Sequence, residues 1–155
     1  MPKIELDPIG IIHSPFRNRS QAPFQGILSD EECELEIYEE YADGLKDIEG
    51  FSHIIIVYYA HKSEKHHLQT TTPWDTQLHG IFTTCSPNRP NPLLISVVPL
   101  LSRIGDRRLT VTNLDAIDGT PIMDIKPYIP ELIVKQNVRL GWFEKVAITL
   151  KREKK

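Results

Sequence analysis

Alternation of apolar and polar positions dominates the chain. In Arg108 to Leu114, Leu109, Val111 and Asn113 fall on one face and Thr110, Thr112 and Leu114 on the other, the period of two that a half-buried strand requires. Ile9 to His13, Leu35 to Tyr38, Phe51 to Ala60, Gly80 to Thr84 and Leu94 to Leu101 also have strand character. Ile54 to Tyr59 is apolar on both faces and reads as a central strand covered on both sides. Ile104-Gly105-Asp106 separates two strand candidates as a hairpin turn does. Helical signals are fewer. Asp30-Glu31-Glu32 resembles an acidic first turn, and Phe143, Val146, Ala147 and Leu150 have the spacing of one helix face, in a segment compatible with either helix or strand.

Proline sharpens this picture. Twelve in 155 residues is about 8%, against a typical ~5%. They cluster at Pro87, Pro90 and Pro92 and again at Pro121, Pro127 and Pro130. Because proline fixes φ and lacks an N–H, each cluster reads as a rigid or turning segment outside any helix or central strand. Short strands between proline-rich and glycine-rich turns point to a mainly β protein, a barrel or sandwich with a few short peripheral helices. A doubly wound nucleotide-binding fold is disfavoured, because no strand leads into a G-x-G-x-x-G helix start.

Length and charge set further bounds. At 155 residues the chain fits one domain, taken as residues 1–150 with a basic tail at 151–155. The longest wholly apolar run, Ile54 to Ala60, is far short of the ~20 residues of a membrane-spanning helix, so a cytoplasmic protein with no membrane partner is expected. Cys33 and Cys85 form no C-x-x-C motif, which leaves a disulfide framework or zinc knuckle unsupported. The net charge of −3 gives no bulk warrant for nucleic-acid binding, which would need a local basic patch.

Two segments concentrate chemistry. Gly80 to Pro92 is a stiff connection presenting Cys85, Ser86, Arg89 and Asn91 from fixed backbone positions, suited to a preorganised site as well as to a structural link. Asp115 to Tyr128 holds three carboxylates, Lys126 and Tyr128. Of these, Asp118 and Asp124 are candidates to accept hydrogen bonds from a ligand or a proton in catalysis, with turn capping the competing role for Asp118. His53 and His61 share a strand face but lie roughly 26 Å apart at ~3.3 Å per residue, and His66-His67 has no zinc spacing with His79 or Cys85, so no metal is expected. Cys85 would be a nucleophile only beside a histidine; a small apolar role is commoner.

Five strings in order, Ile9 to Phe16, Ala22-Pro23-Phe24-Gln25-Gly26, Gly50-Phe51-Ser52-His53, Arg89-Pro90-Asn91-Pro92 and Asp118 to Pro121 with Asp124 to Tyr128, resemble the TrmO-type (TsaA-like, YaeB) family of S-adenosylmethionine-dependent tRNA methyltransferases. The resemblance implies a single-sheeted β-barrel and a homodimer with S-adenosyl-L-methionine near the subunit interface. The implied reaction is methylation of N6 of threonylcarbamoyladenosine beside the tRNA anticodon. By the same resemblance, cofactor contacts fall on Pro23, Phe24, Gln25, His61, Lys62, Cys85, Ile95, Asp118, Gly119, Thr120 and Pro121. Arg89, Asn91, Lys126 and Tyr128 become candidate substrate contacts, and Asp124 is a candidate base by residue type. The sequence departs from the family at Cys85, where many relatives have arginine, at Leu93-Leu94-Ile95, and in lacking the C-terminal domain of longer relatives. A small-molecule methyltransferase and a non-catalytic S-adenosylmethionine sensor are the alternatives.

Overall fold

A computed structural model describes residues 1–23, 25–63 and 65–153. Among the described residues the protein is mainly β. Its strands are β1 (Gly10–His13), β2 (Cys33–Ile37), β3 (His53–Tyr59), β4 (Gln69–Thr72), β5 (Asp75–Gly80), β6 (Leu93–Ile104), β7 (Arg108–Val111) and β8 (Thr120–Pro127). Two α-helices follow, α1 (Pro130–Ile133) and α2 (Glu144–Glu153). Six strands close on themselves in the order β1-β2-β7-β6-β3-β8, every pair antiparallel, while β4 and β5 form a separate hairpin.

Period-two alternation explains the core. Ile12, Leu35, Ile54, Ile56, Val98, Leu109, Val111 and Ile122 have no exposed surface, so all six closed strands send at least one branched side chain inward. Gly10 lets β1 approach β2 closely; a Cβ there would collide with the Glu36 carbonyl oxygen. The β6–β7 hairpin turns at residues 105–107, with Gly105 in the left-handed region at φ 62°.

Several expectations are corrected. Gly80 to Thr84 is not one strand: Gly80 ends β5 and Ile81–Thr83 is a 3₁₀ turn, where the Thr83 hydroxyl donates to the Gly80 carbonyl and the Thr84 hydroxyl to that of Ile81. Residues 30–32 lie outside any helix and lead into β2. Pro121 and Pro127 lie within β8, but near its two ends, where a missing N–H costs least; pairing with β3 begins only at Ile122. Pro99 ends the β6 ladder to β3, immediately before β6 begins pairing with β7 at Leu100. Among the described residues, the face of β3 opposite the core is not fully covered, since Ile55 and Val57 are only half-buried and Tyr59 is 41% exposed. The segment from Phe143 to Leu150 resolves in favour of helix α2, which runs through the 150/151 boundary to Glu153.

Antiparallel closure sorts the connections. At one end, here called the mouth, lie the described residues of the connections 14–32, 60–92 and 112–119; at the other, the floor, lie 38–52 and the tight 105–107 turn. The chain leaves the floor after Pro127 and returns to the hairpin at Trp142, which stacks on His79 at 3.8 Å and donates its indole N–H to Thr83. Trp74 meets Phe143 edge-on at 5.5 Å. Among the described residues, no helix is long and apolar enough to cross a membrane.

Candidate functional site

Hydrogen bonds stitch the three mouth connections together. Asp118 accepts the Ser14 backbone N–H at 2.9 Å, and the Ser14 hydroxyl donates to the Ala116 carbonyl at 2.7 Å. The Asp118 and Gly119 N–H groups donate to the Phe16 and Ile12 carbonyls. Lys62 Nζ donates to the Arg17 carbonyl at 3.1 Å, and the Arg19 guanidinium reaches Asn88 Oδ1 at 3.3 Å. Ser63 donates to the Pro87 carbonyl, and the His67 N–H to that of Asn88. Gly26 is wedged against Asn113 so closely that a Cβ would strike its carbonyl oxygen, which pins the 25–28 turn to the rim. Such a rim loses little conformational freedom on binding.

This topology brings Pro23, Gln25, His61, Lys62, Cys85, Asp118, Gly119, Thr120 and Pro121 to one end of the barrel. Phe24 lies outside the described residues. Thr120 is buried, while Cys85, His61 and Lys62 are exposed. Partial burial, and then the Lys62 charge, lower the His61 pKa and keep its imidazole neutral at pH 7. Ile95 differs: it stands on the outward face of β6, 70% exposed, opposite Val57. Arg89 is half-buried and donates to the Thr84 carbonyl at 2.8 Å and that of Ser86 at 3.2 Å, so its guanidinium braces the proline loop, while Asn91 is exposed on the same loop.

The remaining candidates are elsewhere. Asp124, Lys126 and Tyr128 lie toward the floor; Asp124 is about 13 Å along β8 from Thr120 at ~3.3 Å per residue. Asp124 forms an ion pair with Lys126 at 2.7 Å, both side chains about half exposed. They border a floor cavity of about 550 Å³ that also meets Ile9, Tyr41 and Phe51. The Tyr128 N–H donates to the His53 carbonyl. The Asp124 carboxylate is therefore not part of the mouth cluster.

Sequence reading missed the polar centre of the mouth. Tyr58, 3% exposed, donates its phenol proton to Asp115 Oδ1 at 2.7 Å and lies 3.0 Å from the Ser96 hydroxyl. With the phenol proton so engaged, Ser96 is the donor to Tyr58. Burial raises the Asp115 pKa, against the opposing pull of the Tyr58 bond, its own backbone N–H and the Arg19 charge. Burial and then the Asp115 charge push the phenol up, so it stays protonated. Among the described residues, no group of three His, Cys, Asp or Glu side chains comes together as a metal site.

A closed antiparallel barrel whose long connections gather at one rim defines the class of protein. The chain belongs to the tRNA-methyltransferase O N-terminal domain family, whose model matches residues 11–132. An Archaeoglobus fulgidus protein named "Probable S-adenosyl-L-methionine-binding protein" is 46% identical over 93% of this chain and 39% of its own length. The Escherichia coli tRNA (adenine(37)-N6)-methyltransferase is 34% identical over 84% of this chain and 60% of its own. The crystal structure of TrmO from Pseudomonas aeruginosa superposes with a TM-score of 0.74 at 29% identity, over 90% of this chain and 62% of that one. The chain thus spans about two fifths to three fifths of these relatives.

Proposed function

We propose that this protein binds S-adenosyl-L-methionine at the barrel mouth and transfers its methyl group to N6 of threonylcarbamoyladenosine in tRNA. The observation that carries this reading is the gathering of Pro23, Gln25 and the 61–62, 85 and 118–121 segments on one stitched rim in a member of this family. The residue types suit the cofactor. The neutral His61 and the Lys62 ammonium offer donors to the methionine carboxylate, and the carbonyl and carboxylate oxygens of the 118–121 turn suit the ammonium and ribose hydroxyls. Methyl transfer is an in-line displacement, in which a rigid rim contributes chiefly by orientation.

The protein acts as a homodimer in this reading. Cross-strand pairs Tyr59/Leu93, Val57/Ile95 and Ile55/Val97 form an apolar outer wall on β3 and β6, with Ile95 and Val97 70% and 44% exposed. Pairing that wall with a second copy would cover it and place Ile95 at the interface beside the cofactor.

Calorimetric titration with S-adenosyl-L-methionine, its demethylated product and ATP, followed by labelled-methyl transfer to tRNA with and without threonylcarbamoyladenosine, tests the proposal. Binding of the first two ligands and transfer only to the modified tRNA are expected. Transfer to metabolites alone would reassign the substrate to a small molecule. Binding without transfer would favour a sensor, a reading consistent with the name of the Archaeoglobus fulgidus relative and with Cys85, whose thiol lacks the donor fork of a guanidinium.

A further inference from the structure

We propose that Asp115, oriented by Tyr58, takes the proton from the nitrogen that accepts the methyl group. The inference rests on the methyl-transfer reading and adds the group that completes it. A ureido-substituted N6 is a weak nucleophile whose proton must leave as the new bond forms, so a base within hydrogen-bond reach is required.

Geometry singles out this carboxylate. Asp115 stands at the mouth in the connection that leads to Asp118 and Thr120, beside the 25–28 turn that Gly26 pins against Asn113 and the Asp115 N–H. The Ser96–Tyr58–Asp115 chain of hydrogen bonds fixes one carboxylate oxygen from inside the barrel. Such a network is costly in an otherwise apolar interior and contributes little to folding that packed side chains would not. Asp118 is committed to the Ser14 N–H, and Asp124 is paired with Lys126 toward the floor.

The charged and titratable groups around Asp115 come from every neighbouring element: Tyr58 of β3, Arg19 of the 14–32 connection and Cys33 of β2, with Cys85 of the proline loop acting on Tyr58. Burial makes the carboxylate a stronger base than an exposed aspartate, which brings it closer to the neutral range where general-base catalysis is most effective. In the step itself, the nitrogen lone pair forms the N–C bond as the sulfonium C–S bond breaks, leaving a neutral thioether. The N–H proton passes to Asp115, which becomes a neutral carboxylic acid and then releases the proton to water.

The test compares wild type, Asp115→Asn and Tyr58→Phe in three measurements: affinity for S-adenosyl-L-methionine, single-turnover transfer to tRNA carrying threonylcarbamoyladenosine across pH, and titration of the Asp115 carboxyl by ¹³C NMR. Asp115→Asn, an isosteric change, is expected to keep cofactor affinity within about twofold and lose about 100-fold or more in rate. Tyr58→Phe removes the phenol bond that holds the carboxyl pKa down, so the acid limb of the rate profile and the NMR titration should move together to higher pH. Wild-type transfer with an undiminished Asp115→Asn rate overturns the inference alone. So does a tenfold loss of cofactor affinity with the rate at saturation unchanged, or a carboxyl titration that Tyr58→Phe leaves in place. Absence of transfer by the wild-type protein overturns both this inference and the reading beneath it.

Discussion

The two ends of the barrel are made from the same six strands and differ in what closes them. At the floor, the Arg103 guanidinium bonds Glu49 at 2.6 Å, the Asp106 carbonyl at 2.8 Å and the Leu45 carbonyl at 3.3 Å, joining the tight hairpin to the 38–52 connection. At the mouth, the chain instead half-buries Asp115 against Tyr58, with Ser96 beside the phenol. At the floor the two terminal guanidinium nitrogens of Arg103 are bonded by the fold, though its buried Nε has no partner among the described residues, while the mouth holds a carboxylate whose burial disfavours its charge. Folding therefore disfavours Asp115 ionisation relative to the unfolded chain: stability falls as pH rises from the unfolded toward the raised folded pKa, and above that the carboxylate is ionised in both states.

The largest expected effect tests the frame that both ends share. Ile56→Ala removes a fully buried side chain from β3 and should cost about 2–5 kcal/mol in chemical denaturation. Arg103→Ala comes next, at about 1–3 kcal/mol, because it strips one ion pair and leaves two carbonyls short of a donor. Calorimetry should find its cofactor affinity unchanged; a tenfold loss would show that floor and mouth are mechanically coupled. Asp124→Asn breaks an ion pair that is half exposed on both sides, so its cost should be about 0.5 kcal/mol or less. A rate loss equal to that of Asp115→Asn would move the proton acceptor out of the mouth. The smallest effect belongs to the outward face of β1 and β2, where the hydrogen bond from His13, above all, lowers the Glu36 pKa. That contribution is present above the ordinary glutamate pKa and is lost as pH falls through the depressed one, so Glu36→Gln should flatten only the acid edge of a thermal-stability profile.

Much of the frame was legible because strand period and turn chemistry are local. Leu109 and Val111 face inward as their alternation requires, and the Ile104-Gly105-Asp106 turn falls between β6 and β7. The β4–β5 hairpin was not legible: Thr70, Thr71 and Thr72 carry little apolar pattern, and the pair is held to the C-terminal segment by Trp142 on His79 rather than by a core. At the site, the sequence pointed to the mouth connection but did not single out Asp115 within it. Asp118 stood out for its turn and Asp124 for its residue type, whereas Asp115 acquires its character from Tyr58, 57 residues away. Burial by a distant strand leaves no mark in a local window, and the bulge between Val57 and Tyr58, which sets the register of β8 against β3, leaves none either.

Two of the glycines carry a further consequence. Gly10 and Gly26 each face a carbonyl oxygen where a side chain would begin, whereas Gly44, Gly50 and Gly80 face open space. In a library of variants the first pair should tolerate nothing larger than hydrogen, and for opposite reasons: Gly10 because barrel closure fails, Gly26 because the rim shifts while the barrel still folds. One added methyl group, placed at one position or the other, would thus separate the selection pressure for having this shape from the pressure for using it.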